Sequence, residues 1–371
     1  MAKANQMLST NEHAAVLQYA RRAADLFAKW APRSSNLARS LTSAATAHER
    51  LGQLENARKA IDEAVAIFRC VSLPADLSAA LTVQTVVQRL SGDLDGAMTG
   101  CQEALRLTSS AMWDRDEGAR VLIEATALEG IGSVHLSRGE PVQALSYFHK
   151  ALIEYRKHPR GLTGAALILS SMGSAHLRMH QPEQALQFFE KCREVSEASA
   201  NALGAVNALL GIGAVHKQSN TLRPALSYFE QAYDIIKKLR SDSLLAAKAL
   251  RLIAETSLDM DDLEKARNSS DRALTVAGRL APRSMEMARC LLAVGHVALA
   301  FGEPSQARKS FERALAIAET AALTSDETVD ALKELSNTLA LMGDLTCAAT
   351  YHTRAASIEA LRATPPRTPD N

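Results

Sequence analysis

Small and apolar residues recur along the chain at intervals of 40 or 41 residues, with one interval of 47. One copy begins at Ile131 and continues with Ala144, Phe148 and Ala151. The same spacing starts again at Met172, Ile212 and Val294. Self-similarity at such a period predicts a stack of repeated supersecondary units, each of which buries its apolar face against its neighbours.

Two positions of the repeat hold small residues. The first, which we call the slot, is Ala45, Thr85, Gly132, Gly173, Gly213, Ala254, Gly295 and Ser336. The second lies twelve residues later and is alanine in every copy, namely Ala57, Ala97, Ala144, Ala185, Ala225, Ala266, Ala307 and Ala348. Because a larger side chain would hold two helices apart, this pattern predicts two closely packed helices per repeat.

Turn residues and prolines support the same frame. Seven residues after the slot come residues that tolerate a left-handed backbone, namely Gly52, Gly92, Gly139, His180, Asn220, Asp261, Gly302 and Gly343. Prolines fall just after this turn, at Pro141, Pro182, Pro224 and Pro304, or between repeats, at Pro32, Pro74, Pro159 and Pro282. The sequence therefore predicts eight antiparallel helix hairpins, with a lone helix at about 11–29 in front of them.

This combination of slots, turns and prolines resembles the tetratricopeptide repeat family over residues 38–360. Units longer than the common 34 residues are similar to those of kinesin light chains, of a G-protein-binding spindle adaptor, and of bacterial transcription-activator and quorum-sensor repeat domains. The resemblance implies an all-α, right-handed α-solenoid whose first helices form an inner binding face. The family's leading tryptophan is missing, and three copies lack the aromatic residue of the second helix, having Cys101, Ser270 and His352 instead.

Three domains are expected from this frame. Residues 1–37 form an N-terminal helix or cap, residues 38–360 form the repeat domain, and residues 361–371 form a disordered, proline-rich tail. Thr364 and Thr368 each precede a proline in that tail, which makes them candidate phosphorylation sites.

Composition narrows the function. The 371 residues are 47% hydrophobic and only 4% aromatic, which suits thin helices in close contact. A formal charge of +1 gives no global field for attracting nucleic acid or an acidic membrane. Single, scattered cysteines and the lack of a secretory or membrane-spanning segment predict a reducing, cytoplasmic location. A mitochondrial presequence is the alternative, but Glu12 and Asp25 argue against it.

Catalytic and metal-binding chemistry is not indicated. Gly130 and Gly132 lie in a helical pattern without the strand and third glycine of a phosphate loop. Histidines His48, His135, His176 and His216 recur at one repeat position, but equivalent positions lie a helix-pair stack apart, too far to share a metal. We therefore expect no cofactor, no metal and no enzyme activity.

The candidate partner surface is a stripe of the first helices, at positions six and three before the slot and one, four and five after it. The candidate binding residues on this stripe are Arg39, Arg50, Arg89, Ser133, Ser174, Arg178, Asn207, Lys217, Lys248, Arg251, Arg289, His296, Lys333 and Asn337. Basic residues exceed acidic ones there, which favours an acidic or phosphorylated partner segment. The alternative is that these are simply solvated side chains.

Two further features bear on how a partner could bind. Lys333 and Asn337 have the spacing of part of a carboxylate clamp, but no repeat follows them to complete the set. Trp113, in the longer connection from Thr108 to Gly118, is either a partner anchor or a ring folded over a repeat edge.

The leading hypothesis is a non-catalytic scaffold or adaptor that binds a peptide or helical segment in the inner groove. A second hypothesis is a regulatory sensor that binds a small ligand or signalling peptide. RNA binding is a third, disfavoured by near-neutral charge and sparse aromatic residues.

Overall fold

The structure, a computed structural model, describes residues 10–51, 53–110, 113, 116–158, 161–239, 243–321 and 325–363. These residues form seventeen α-helices and no strand. After α1 (Thr10–Trp30), first and second helices of hairpins alternate. The first helices are α2 (Ser35–Arg50), α4 (Pro74–Leu90), α6 (Glu117–Ser137), α8 (Leu162–Arg178), α10 (Ala202–Gln218), α12 (Leu244–Asp259), α14 (Met285–Ala300) and α16 (Asp326–Leu341). The second helices are α3 (Leu54–Val71), α5 (Leu94–Thr108), α7 (Pro141–Arg156), α9 (Pro182–Ala198), α11 (Leu222–Lys238), α13 (Leu263–Leu280), α15 (Pro304–Ala321) and α17 (Leu345–Ala363).

The turn has the predicted left-handed backbone in the seven hairpins whose turn residue the structure describes. His180, Asn220 and Asp261 have φ values of 55°, 57° and 61°, and the described glycines at this position are also positive. In the third hairpin, the Gly139 amide donates to the Leu136 carbonyl and the Glu140 amide to the His135 carbonyl. This pair of hydrogen bonds closes the helix end in a Schellman motif. Gly52 and Pro159 lie outside the described residues, and Pro74 is the first residue of α4.

The eight second-position alanines are buried, as predicted, with Ala348 the most exposed at 6%. The residue in the slot varies with the side chain that faces it from the second helix. A Cβ on Gly132 would lie 2.6 Å from Cε1 of Phe148, which is closer than real side chains approach. Glycine slots pair in this way with Phe148, Phe189, Phe229 and Phe311. The other slot residues precede smaller or non-aromatic partners, in the pairs Ala45 with Ile61, Thr85 with Cys101, Ala254 with Ser270, and Ser336 with His352. The three missing aromatic residues therefore coincide with slots that carry a side chain.

The chain divides into two compact units, Met1–Ala249 and Leu250–Asn371. In the first unit, α1 packs on α2, where Leu17 and Ala20 meet Ala44 and Ala47. In the second, α13 packs on α14, α14 on α15, α15 on α16 and α16 on α17. The boundaries predicted at residues 37 and 360 stay predictions, and α17 continues to Ala363. The predicted tail phosphosites Thr364 and Thr368 lie outside the described residues.

Candidate functional site

The first helices pack against one another along each unit. In the first unit α2 contacts α4, α4 contacts α6, α6 contacts α8 and α8 contacts α10, and in the second unit α14 contacts α16. No two second helices of one unit pack to a comparable extent in the described parts of the chain. The first helices therefore form the tighter side of each stack. We call its side chains the first-helix face, namely Arg39, Thr46, Glu49, Arg50, Arg89, Ser133, Ser170, Ser174, Arg178, Asn207, Lys217 and Lys248 in the first unit, and Arg251, Glu255, Asp259, Arg289, His296, Lys333 and Asn337 in the second.

In the second unit the basic residues of this face are held in an ion-pair ladder. Arg251 Nε lies 2.8 Å from Glu286 Oε1, and its Nη1 lies 2.6 Å from Glu255 Oε1. Arg289 lies 3.4 Å from Glu286 and donates from Nε to Glu327 at 2.7 Å. Burial acts to lower the pKa of Arg251, but the two facing carboxylates raise it above its ordinary value.

The ladder corrects the prediction that Arg251 and Arg289 are available to an acidic partner. Arg251 is only 8% exposed, and both guanidinium groups already face carboxylates of this chain. These helices also carry the carboxylates of Asp259, Asp326, Asp330 and Glu334. Basic and acidic side chains thus lie together in the second unit, and a cationic groove there stays a prediction. The sequence signal that was missed is a glutamate 35 or 38 residues after each arginine, one repeat further along.

The remaining candidates of the second unit are also placed against this chain's own groups. His296 Nε2 lies 3.5 Å from Glu334 Oε1, and Lys333 Nζ lies 2.7 Å from Glu359 Oε1. Asn337 is exposed.

The N-terminal end of the first unit is likewise paired. Arg39 of α2 binds Asp76 of α4 through both Nε and Nη2, at 3.2 and 2.6 Å. Arg50 Nε lies 3.3 Å from Glu49 Oε2. The bidentate Arg39–Asp76 pair joins neighbouring first helices and fixes their spacing, because both hydrogen bonds must be satisfied together.

A polar cluster lies beside them between α4, α6 and α7. Tyr155 Oη donates to Glu129 Oε2 at 2.8 Å and lies 3.1 Å from Thr126 Oγ1. Burial raises the pKa of Glu129 although Arg89 acts to lower it, and burial lowers the pKa of Arg89 itself. Arg89 thus belongs to an interior network and is half-buried at the first-helix face.

The centre of the first unit, on α6, α8 and α10, is different in kind. Its face positions are small and polar, and Ser174 Oγ donates to the Ser170 carbonyl of its own helix at 3.0 Å. Asn207 is half-buried, and its amide, which has no hydrogen-bond partner among the described residues, is open to solvent. The exposed Arg178 donates to the Leu136 carbonyl at 2.8 Å. Neither α8 nor α10 contains an aspartate or glutamate, and their basic residues are Arg178 and Lys217.

The recurring histidines contact the turn and the second helix of their own hairpins. His135, His176 and His216 stack on aromatic residues of their own second helices, with ring centroids 5.3, 5.1 and 5.4 Å apart. Their Nδ1 atoms lie within hydrogen-bond distance of the turn residues Glu140, Gln181 and Thr221. These contacts tie each turn to its helices. In the part of the chain that the structure describes, no three His, Cys, Asp or Glu residues group as metal ligands.

Three of the five cysteines are buried in the stack, which changes the acidity of their thiols. Burial raises the pKa of Cys101 and of Cys192 to about 11 and that of Cys290 to about 12. At neutral pH these groups are thiols, which are poor nucleophiles.

Trp113 is half-buried, and its Nε1 donates to the Asp116 carbonyl of the same loop at 3.5 Å. No described helix is long and apolar enough to cross a bilayer.

Comparison with known proteins agrees with this architecture. A tetratricopeptide repeat profile matches residues 164–238 and 245–320, and a second one matches residues 38–69. The chain therefore belongs to the tetratricopeptide repeat family. No curated protein sequence matches it significantly.

Several solved structures share the fold. A Rap protein complexed with Competence and Sporulation Factor is 15% identical, with 95% of this chain and 99% of that chain covered and a TM-score of 0.66. The Rap conjugation gene regulator of plasmid pLS20, in complex with the Phr* peptide, is 16% identical, with coverages of 78% and 75% and a TM-score of 0.62. Aspartyl phosphate phosphatase F from Bacillus subtilis is 15% identical, with coverages of 98% and 97% and a TM-score of 0.58. At these identities the likeness establishes the fold.

Proposed function

We propose that the protein is a non-catalytic interaction protein that holds a peptide segment of a partner on the centre of the first-helix face, across α6, α8 and α10. The observation that carries this proposal is the side chain of Asn207, a half-buried amide that is open to solvent and has no hydrogen-bond partner among the described residues. A peptide backbone on this face would replace the water that such an amide binds.

An extended peptide has the matching chemistry. The Asn207 amide offers both a donor and an acceptor, which can pair with a carbonyl and an N–H of one peptide unit. The small side chains of Ser133, Ser170 and Ser174 around it allow another backbone to approach the helices closely. Hydrogen bonds to a peptide backbone give affinity with little dependence on sequence, so specificity would come from flanking side chains.

Those flanking groups favour a negatively charged segment. Arg178 is exposed, and Lys217 lies on the next first helix. An aspartate, a glutamate or a phosphorylated residue of the partner would gain a charge-assisted hydrogen bond from either side chain. The acidic or phosphorylated character of the partner is thus part of the proposal, restricted to the first unit.

A regulatory version of this function is the second candidate. Two of the structures that share the fold are complexes with Competence and Sporulation Factor and with the Phr* peptide. A sensor would bind a signalling peptide at the same face and change the spacing of the first helices. Small-angle scattering with and without the bound peptide separates the two: a sensor changes its radius of gyration, and a scaffold keeps it. RNA binding has little support, because the centre of the face has no aromatic residue on which a base could stack.

The non-catalytic part of the proposal rests on the interior position of the perturbed groups. Glu129, Tyr155 and the three thiols of raised pKa lie in packing or polar networks of the stack. The cytoplasmic location also stays a proposal, supported by five cysteines that are all free.

The test is selection of a displayed random peptide library on the full chain, followed by fluorescence anisotropy with the selected peptides. Asn207→Ala should weaken binding at least tenfold. The matched control is Asn337→Ala, an exposed asparagine of the first-helix face in the second unit, which should bind normally. Joint reversal of Arg178 and Lys217 to Glu should abolish binding of acidic peptides while helicity and melting stay unchanged. Equal affinities for all three variants would place the binding surface elsewhere.

A further inference from the structure

The outer side of α1 carries an apolar stripe that nothing in the described chain covers. Tyr19, Leu26 and Trp30 are 69%, 59% and 83% exposed, and Val16 is 38% exposed. The opposite edge of the helix is occupied, because Leu17 and Ala20 pack on α2. Large exposed aromatic and aliphatic side chains in one contiguous group mark interaction surfaces on proteins.

The spacing of the stripe specifies the shape of what covers it. Its members are separated by three, four, three and four residues and are Val16, Tyr19, Ala23, Leu26 and Trp30. This alternation is the a and d pattern of a heptad repeat, which keeps one seam facing a partner helix along its length. A helix laid along α1 would meet all five residues, whereas an extended strand would not match the repeat.

The charges beside the stripe specify the chemistry of that helix. Arg22 and Lys29 are exposed and occupy heptad g positions, along the edge that faces away from Leu17 and Ala20. Neither forms an ion pair with any described residue. Residues at e and g select partners by charge, so this edge favours glutamate or aspartate beside the partner's apolar seam.

The same charges oppose a second copy of this chain. In an antiparallel pair of α1 helices, Arg22 and Lys29 of one copy would face the same two residues of the other, and like charges repel. A parallel pair would need the edge formed by Ala20 and Phe27, which already packs inside the first unit. Self-association through this stripe is therefore disfavoured.

We infer that the outer stripe of α1 is a docking site for an amphipathic helix of another protein, with acidic residues flanking its apolar seam. This surface is separate from the first-helix face and does not depend on the function proposed for that face. A partner could occupy both surfaces, or two partners could bind at once.

The test uses two synthetic helical peptides of about three heptads, with leucine at a and d and either glutamate or lysine at e and g. The chain contains two tryptophans, so the full-length Trp113→Phe variant makes Trp30 the single fluorescent reporter. The glutamate peptide should shift Trp30 emission to the blue and bind at least tenfold more tightly than the lysine peptide at low salt. Raising the salt concentration should narrow this difference, because the charges at the edge are exposed.

Variants separate the apolar and the charged parts of the site. Exchange of Arg22 and Lys29 for Glu should invert the peptide preference, and Leu26→Glu should abolish both interactions while the melting temperature stays unchanged. The matched control exchanges Lys59 and Arg106, exposed on α3 and α5, for Glu and should keep the original preference. The inference is wrong if neither peptide binds, if both bind equally, or if sedimentation shows that the chain dimerises through the stripe. Failure here leaves Asn207 and its peptide site untouched.

Discussion

The ring of Phe189 fills the space that Gly211 leaves on the neighbouring first helix: a Cβ on Gly211 would lie 2.2 Å from Phe189 Cδ1. The same ring faces Gly173 of its own hairpin, where a Cβ would lie 2.8 Å from Cε1. One phenylalanine is therefore held between two glycines of successive first helices. Contact of this kind makes the fourth and fifth hairpins depend on each other for packing.

The slot pairing predicts a specific cost for a single methyl group. A Cβ on Gly213 would lie 2.5 Å from Cε1 of the fully buried Phe229, so Gly213→Ala should lower the free energy of unfolding by ~1–3 kcal/mol through overpacking. Urea denaturation measures the change. Gly278→Ala is the control, because its Cβ would meet only Met287 Cε at 3.9 Å, and it should be neutral or stabilising by up to ~1 kcal/mol.

Compensation should be visible in a double variant. The first repeat combines Ala45 with Ile61, so Gly213→Ala together with Phe229→Ile should lose less stability than the sum of the two single changes. Additive losses would show that Gly213 and Phe229 do not compete for the same space.

The ion-pair ladder predicts that Arg251 is structural. Arg251→Met leaves Glu255 without its cation and Glu286 with only the longer contact to Arg289, and should cost ~3–5 kcal/mol in urea denaturation. Arg308→Met breaks the exposed pair with Glu312, and should leave the urea midpoint nearly unchanged because solvent screens that pair. Similar costs for the two variants would contradict a buried ladder. For the same reason, reversal of Arg251 is unsuitable as a test of partner binding.

Two carboxyl groups should give opposite pH dependences. For Glu327, burial raises the pKa, but Arg289 and the hydrogen bonds from the backbone and Ser325 together lower it more, so the folded pKa lies below the ordinary value. Its stabilisation is present above the unfolded pKa of ~4.3 and is lost as pH falls through the folded pKa. Glu327→Gln should therefore be less stable than the parent at pH 7, and this difference should shrink in acid.

Burial raises the pKa of Glu129 instead. The folded protein then holds this proton more tightly than the unfolded chain, so stability falls as pH rises from ~4.3 through the folded pKa. Glu129→Gln keeps an acceptor for Tyr155 and should gain stability relative to the parent over that rise. Denaturation curves of both variants at several pH values measure the two trends, and parallel curves would contradict them.

The thiols should react in two groups. Cys70 and Cys347 are exposed, whereas Cys101, Cys192 and Cys290 are buried. A chromogenic disulfide reagent at neutral pH should therefore titrate two thiols of the folded protein at once and the other three only on unfolding. Replacement of Cys70 and Cys347 by Ser should remove the fast phase, and a remaining fast thiol would show that the hairpins open locally.

The fold was readable from the sequence because each of its determinants is local. Ala185 lies twelve residues after its slot and His180 seven residues after it, so both are fixed within one hairpin. The charge pairs are not local in this sense. Whether Arg251 meets Glu286 depends on the rotation between neighbouring repeats, which slot and turn positions do not specify. Counting basic residues therefore could not reveal that Arg251 and Arg289 are paired within the chain.

Pairing between slot and aromatic residue also determines which pieces of this chain are interchangeable. The space left by Gly295 on its first helix is filled by Phe311 of the second helix. Thr85 leaves less space, which suits the smaller Cys101. Recombination that joined α4 to α15 would drive a threonine side chain into a ring, whereas exchange of complete hairpins would keep each pair together. A complete hairpin is thus the smallest piece that keeps each slot with the residue it faces, and its neighbour matters as well, because the Phe189 ring also packs on Gly211 of the next hairpin.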